Sequence, residues 1–155
     1  MNIFYLDKDP VIAAEYHCDK HVVKMIVETT QIISTARQLI GSSGPYKKTH
    51  MHHPCVKWVN ESSQHYNWLM RLYDSLLGEY TKRYGKIHAC SRFRGDIINP
   101  PNNLIDNGWK DPPQAIAFVE CRQPDTVEAY RSYYKNHKAH FAKWKLGNVP
   151  FFMSV

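Results

Sequence analysis

Two long stretches with helical periodicity, each bracketed by its own start and stop signals, limit what this chain can fold into. The first opens at Asp9-Pro10, a capping side chain followed by a proline at the first helical position, and closes at "GSSGP" (41–45). Between them Ala14, Val22, Met25, Ile26, Ile33 and Ala36 lie on one broad apolar face, and Cys18-Asp19 is the natural place for so long a segment to break. The second opens at Pro54 and ends at Gly85, with Trp58, Tyr66, Leu69, Leu72, Tyr73 and Leu76 at helical spacing. A last helix begins at Asp125-x-x-Glu128, a capping-box pattern, and carries the stripe Val127, Tyr130, Tyr134, His137, Phe141 and Trp144 before Gly147 and Pro150. Residues 87–98 read as a further short helix, "NPPNN" and "DNGWKDPP" as loop, and "IAFVEC" fits strand or helix equally. "IFYL" (3–6) reads as a short strand or a tucked-in terminus. With 155 residues the expectation is one mainly α domain over 1–155, of three to five helices with long loops and at most a short N-terminal strand.

Charge narrows the partner. The formal net charge is +6, and ten Tyr, six Phe and four Trp accompany the lysines. That combination suits a polyanion, nucleic acid first, although a solvated lysine-rich surface gives the same total. No stretch approaches a membrane span and no basic start leads into an apolar run, so neither a membrane nor export is expected. Cys18, Cys55, Cys90 and Cys121 are widely spaced, with no Cys-x-x-Cys, and read as reduced thiols of a cytoplasmic protein.

The chemistry concentrates in "HCDKH" (17–21) and just beyond. A helix over 17–31 would put His17, His21, Lys24, Glu28 and Gln31 on one face with Lys20 beside them. Three readings compete. The face is simply solvated; or His17 and His21, one turn apart, hold a metal with help from His50, His52 and His53; or the cations bind phosphates while Asp19 or Glu28 does acid–base work. No His-Glu-x-x-His pattern supports a zinc hydrolase, and no cofactor is called for. Cys55, one residue past a helix-starting proline, reads as structural rather than nucleophilic. In the tail "YRSYYKNHKAHFAKW", Tyr130, Tyr134, Phe141 and Trp144 are assigned to the core, which leaves Arg131, Tyr133 and Lys138 for ligand contact.

Taken together, "AAEYHCDKH" (13–21), "WLMRLYDSLLGEYTKRYG" (68–85), "FRGDIINP" (93–100) and "YRSYYKNHKAHF" (130–141) touch about half the chain. Their layout resembles small phage-encoded proteins and, through them, the pyrimidine-dimer DNA glycosylases of the endonuclease V type. The resemblance implies a small basic all-α enzyme of an infected cell's cytoplasm. It implies an early helix carrying a catalytic Glu and an aromatic, lysine-rich tail on DNA. It also implies an α-amine nucleophile, exposed in that family by removal of the initiator Met. Here Asn2 follows Met1, and so bulky a second residue leaves Met1 in place, with the Met1 amine as the counterpart. The family's arginines on the early helix are His and Lys here, which are not equivalent for clamping phosphate. Asp19 is nearest to the family's Glu by position, with Glu15 and Glu28 as alternatives.

The expectation is therefore a monomeric DNA glycosylase/AP-lyase acting on a damaged or modified base in duplex DNA. Met1, or else Lys20 or Lys24, is the amine, and Asp19 or Glu28 the carboxylate. His17, His21, His53, Arg94, Arg131, Tyr133 and Lys138 contact the nucleic acid. The alternatives are a metal-dependent hydrolase or base-modifying enzyme built on the histidines, and a non-catalytic nucleic-acid-binding protein.

Overall fold

The computed structural model describes residues 1–154 and is all-α. Six α-helices follow one another: α1 (Pro10–Tyr16), α2 (Asp19–Leu39), α3 (Pro54–Glu61), α4 (Ser63–Tyr84), the single turn α5 (Arg94–Ile97) and α6 (Thr126–Tyr133). Three 3₁₀ turns (Ala89–Phe93, Val119–Cys121, Phe151–Ser154) and one π-helical turn (Tyr134–Lys138, running on from α6) complete the order. Helices α1, α2 and α3 each pack on α4, and α2 also packs on α3. No helix is long and apolar enough to cross a membrane.

The start signals act as their chemistry dictates. Asp9 accepts from the Val11 amide at 2.9 Å, and Asp125 accepts from the Glu128 amide at 3.2 Å. His53 caps α3 through Nδ1, accepting from the Cys55 amide at 3.0 Å. The segment expected to run unbroken from Pro54 to Gly85 is split at Ser62, whose hydroxyl caps α4 by accepting from the Gln64 amide. Gly85, with φ +66°, ends α4 in the left-handed conformation that glycine adopts without strain.

The break between α1 and α2 falls where expected, and the rest of the chain holds it open. His17 and Cys18 are extended. Freed carbonyls of Glu15 and His17 accept from the Arg83 guanidinium at 3.0 and 2.7 Å. Freed amides of Cys18 and Asp19 donate to the Tyr134 hydroxyl and the Lys143 carbonyl.

No β-strand forms among the described residues, so the N-terminal strand is corrected to the tucked-in terminus. Ile3, Phe4, Tyr5 and Leu6 are buried, and the segment is fixed by side chains rather than a neighbouring strand. Arg131 Nε donates to the Leu6 carbonyl (2.9 Å), Trp68 Nε1 donates to the Lys8 carbonyl (2.9 Å), and the Tyr5 hydroxyl donates to Asp111 (3.0 Å). Each fully buried aliphatic side chain contributes roughly 1.5–3 kcal/mol, enough to hold such a segment without a sheet.

Candidate active site

Tucking in residues 1–6 carries the chain terminus onto the middle of α2. The Met1 backbone nitrogen lies 3.0 Å from Glu28 Oε1, and Lys24 Nζ lies 3.7 Å from Glu28 Oε2. The Glu28 side chain keeps 12% of its surface in contact with solvent, and that of Lys24 69%. The Met1 side chain is buried, so the pair is close-packed, with solvent reaching it at the Glu28 carboxylate and Lys24.

Asn2 sets this placement. It is buried, and its Oδ1 accepts from the Ile3 amide and the Tyr130 hydroxyl, both at 2.8 Å. Its Nδ2 donates to the Ala115 carbonyl at 3.1 Å. One residue separates this lock from the amine, so little freedom is left to the Met1 nitrogen. Asn2 and Tyr130 were not singled out for this role by sequence: Tyr130 reads as core, and only its hydroxyl distinguishes it from a packing residue.

His53 and Cys55 flank the pair from the start of α3. Burial, then the positive charge of the amine, hold the His53 imidazole below its ordinary value, while Glu28 pulls it the other way. Burial pushes the Cys55 thiol up to about 12, which keeps it protonated and fits a structural role.

Along α2, Lys20, Lys24 and Glu28 follow at one-turn intervals. Lys20, His21, Lys24, Lys138 and Phe141 line an open cleft of about 220 Å³, and Lys24, which also contacts Glu28, is the residue it shares with the amine–carboxylate pair. The cations rest on aromatic faces: Lys20 Nζ is 5.2 Å from the Phe141 centroid, and Lys138 Nζ is 4.8 Å from that of Tyr133.

Other expected site residues lie elsewhere. The helix over 17–31 does not exist as such, because α2 begins at Asp19; His17 closes α1 and leaves the shared face. His17 is fully buried, with Nδ1 2.6 Å from the Ala13 carbonyl, and burial lowers its pKa to about 4. His21 is on α2 but buried, 2.7 Å from the Tyr134 hydroxyl and against Phe4; burial, then His17, lowers its pKa to about 3. Both imidazoles are therefore neutral at pH 7 and are not the phosphate-binding cations that the stripe suggested. Asp19 pairs with the buried Arg83 at 3.2 Å and accepts from the Lys145 amide, away from the amine. Arg131 is held by Asp7 (3.1 Å) and Glu128 (3.4 Å), and Arg94 by Asp74 at 2.7 Å. No three ligand atoms of His17, His21, His50, His52 and His53 come within 4.8 Å of one another among the described residues. His50 instead sits at φ +51° with Nδ1 2.8 Å from the Thr49 hydroxyl.

A model of the pyrimidine dimer DNA glycosylase family matches residues 1–91, more than half the chain. The chain belongs to that family. The matched part holds Met1, Lys24 and Glu28, together with α1 to α4. Tyr130, Lys138 and Phe141 lie outside it, so part of the cleft and of the Asn2 lock comes from the unmatched tail. No curated protein and no solved structure matches the chain.

Proposed function

We propose that this DNA glycosylase family member removes a damaged pyrimidine from duplex DNA through an imine on the Met1 amine and then cleaves the strand as an AP lyase. The observation that carries the reading is the 3.0 Å pairing of the Met1 nitrogen with Glu28 Oε1. Glu28 accepts a proton from the ammonium and frees the lone pair. The nitrogen attacks C1′ of the target nucleotide, the glycosidic bond breaks, and the base leaves with its electron pair and takes up a proton. Glu28 then gives its proton to the sugar ring oxygen as the C1′–O4′ bond breaks and the nitrogen lone pair forms the protonated imine, and the regenerated carboxylate stabilises the positive charge spread over N and C1′. Loss of a proton from C2′ expels the 3′ phosphate, and water releases the enzyme.

The target must leave the stack to reach a nitrogen set against α2. Lys20, Lys24 and Lys138 border the approach and suit phosphates on either side. Lys24 is the competing amine, since it touches the same carboxylate.

Borohydride trapping decides among them. The protein is incubated with duplexes carrying a pyrimidine dimer, an abasic site or no lesion, and the reduced adduct is mapped by peptide mass spectrometry. A covalent adduct at Met1 with the dimer and abasic duplexes is the expected result. An adduct at Lys20 or Lys24 would move the nucleophile. Absence of both adduct and strand cleavage on every duplex would sink the enzyme reading and leave a DNA-binding protein.

A further inference from the structure

We infer that Glu120, Cys121 and His137 form a binding site for a divalent transition metal of the zinc type, apart from the amine–carboxylate pair. One ligand atom from each of the three lies within 4.8 Å of the other two. Glu120 Oε1 is 2.9 Å from His137 Nε2, and Cys121 is buried beside them. Four-coordinate zinc with bonds of 2.0–2.3 Å spaces its ligand atoms roughly 3.3–3.8 Å apart. The Glu120–His137 pair therefore opens by about half an ångström, and Cys121 Sγ draws in by about 1.3 Å at most, to accept the ion.

The fold brings these groups together by two irregular turns. Glu120 and Cys121 are on the 3₁₀ turn Val119–Cys121, and His137 is on the π turn Tyr134–Lys138. A π turn carries more residues than an α turn and rotates the side chains that follow, which takes His137 off the stripe shared by Tyr130 and Tyr134. The Phe118 ring stacks on His137 with centroids 3.5 Å apart and planes 14° apart, which covers one side of the imidazole.

The donor set chooses the metal. Sulfur, nitrogen and one carboxylate oxygen suit Zn²⁺ or Co²⁺, whereas Mg²⁺ and Ca²⁺ take oxygen shells. Three protein ligands leave a fourth position open to solvent on the exposed Glu120 side. On binding, the Cys121 thiol gives its proton to solvent and coordinates as thiolate. His137 moves its proton to Nδ1 and offers the Nε2 lone pair, and Glu120 exchanges its hydrogen bond for the metal. The bound ion ties the two turns together, and with them Phe118, Tyr133 and Lys138 at the edge of the basic cleft.

The test uses full-length, tag-free, reduced protein. Zn²⁺ affinity is measured by competition with a chromophoric chelator, and Co²⁺ is added to a second sample for absorption spectroscopy. One equivalent of metal, a thiolate-to-cobalt charge-transfer band and tetrahedral d–d absorption are expected. His137→Gln and Glu120→Gln should each weaken Zn²⁺ binding on the order of 100-fold or more, since even outer partners of metal ligands are worth 10- to 100-fold. Cys121→Ser should abolish the charge-transfer band. Cys121 is buried, so if that variant does not fold, the His137 and Glu120 variants carry the decision. Wild-type binding without a charge-transfer band, or Zn²⁺ affinity unchanged in His137→Gln, overturns the site.

Discussion

At the start of α2, Asp19 faces Arg83; nine residues further on, about 13 Å along the helix axis, Glu28 faces the Met1 amine. Both are carboxylate–cation contacts on one helix, but they differ in what is left over. The Arg83 side chain is fully buried, and its nitrogens are engaged by Glu79, Asp19 and the carbonyls of Glu15 and His17. No Arg83 nitrogen is left there for a substrate. The Met1 amine has one carboxylate partner, and the other oxygen of that carboxylate faces an exposed lysine that lines an open cleft. A sealed cluster holds the fold; an open one with a free lone pair to release can do chemistry.

Removing the carboxylate of each cluster tests that division, and the largest effect is expected at the open one. Glu28→Gln keeps the shape and removes the proton acceptor. Base excision and imine trapping should fall about 100- to 10,000-fold. Stability should fall as well, by about 1.5–3 kcal/mol, because the contact is nearly buried and charge-assisted, so excision is compared on protein confirmed as folded. Asp19→Asn, measured in the same assay on protein confirmed as folded, should leave excision within a few-fold of wild type. A large loss in Asp19→Asn with none in Glu28→Gln would exchange the two roles.

The sealed cluster should show the reverse. Arg83→Ala leaves Glu79 and Asp19 without their cation and two carbonyls without a donor. The expected loss is about 3–5 kcal/mol of stability, or roughly 6–20 °C in Tm, read by denaturant and thermal unfolding. A loss below about 1 kcal/mol would mean that the break between α1 and α2 is held by packing alone.

His17, beside the Arg83 cluster, and His21, at the start of α2, add a pH dependence. Their folded pKa values are about 4 and about 3, against 6.5 for the free imidazole. The unfolded chain thus binds more protons between those limits, so stability is complete above about pH 6.5 and falls as pH drops towards 4. A burial-driven shift of this size is worth a few kcal/mol, and the two rings are too close for their effects to add. Unfolding free energy measured from pH 7.5 to 4 should show this slope, and His17→Gln should flatten it. An unchanged slope in that variant would assign the acid limb to other groups.

The features legible in the sequence were those that rest on local physics. Asp9-Pro10, Asp125 and Gly85 act within a few residues of themselves, and those helix ends were readable; the far end of the last helix was not, since α6 stops at Tyr133 and passes into the π turn Tyr134–Lys138 well before the expected stop at Gly147. The Ser62 break was not, because apolar spacing continues on both sides and hides a cap in mid-run. Glu28 could be named but not chosen over Asp19. That choice depends on where residues 1–6 lie, and Tyr130, Trp68 and Arg131 fix them from far along the chain. The stripe around His17 and His21 misled for a related reason: polar residues at helical spacing do not reveal which of them the tail will cover. Tyr134 and Phe141 cover His21. The grouping of His137 with Cys121 depends on a π turn, which no periodicity of 3.6 can announce.

The smallest effects are expected among the surface cations, where position rather than charge should matter. Lys20 and Lys138 border the cleft and rest on Phe141 and Tyr133, whereas Arg94, on α5, is paired with Asp74 of α4. If the cleft holds the DNA backbone, Lys20→Ala and Lys138→Ala each remove one phosphate contact. Binding should weaken to the same extent on damaged and undamaged duplex. The slope of log K against log salt should decrease by about 0.9 in each variant, since each neutralised phosphate releases close to one counterion. Arg94→Ala should leave both affinity and slope unchanged. Equal slopes in all three variants would show that the protein meets DNA through its overall charge. A change in Arg94→Ala alone would place the duplex on α5 rather than along the cleft bordered by Lys20 and Lys138.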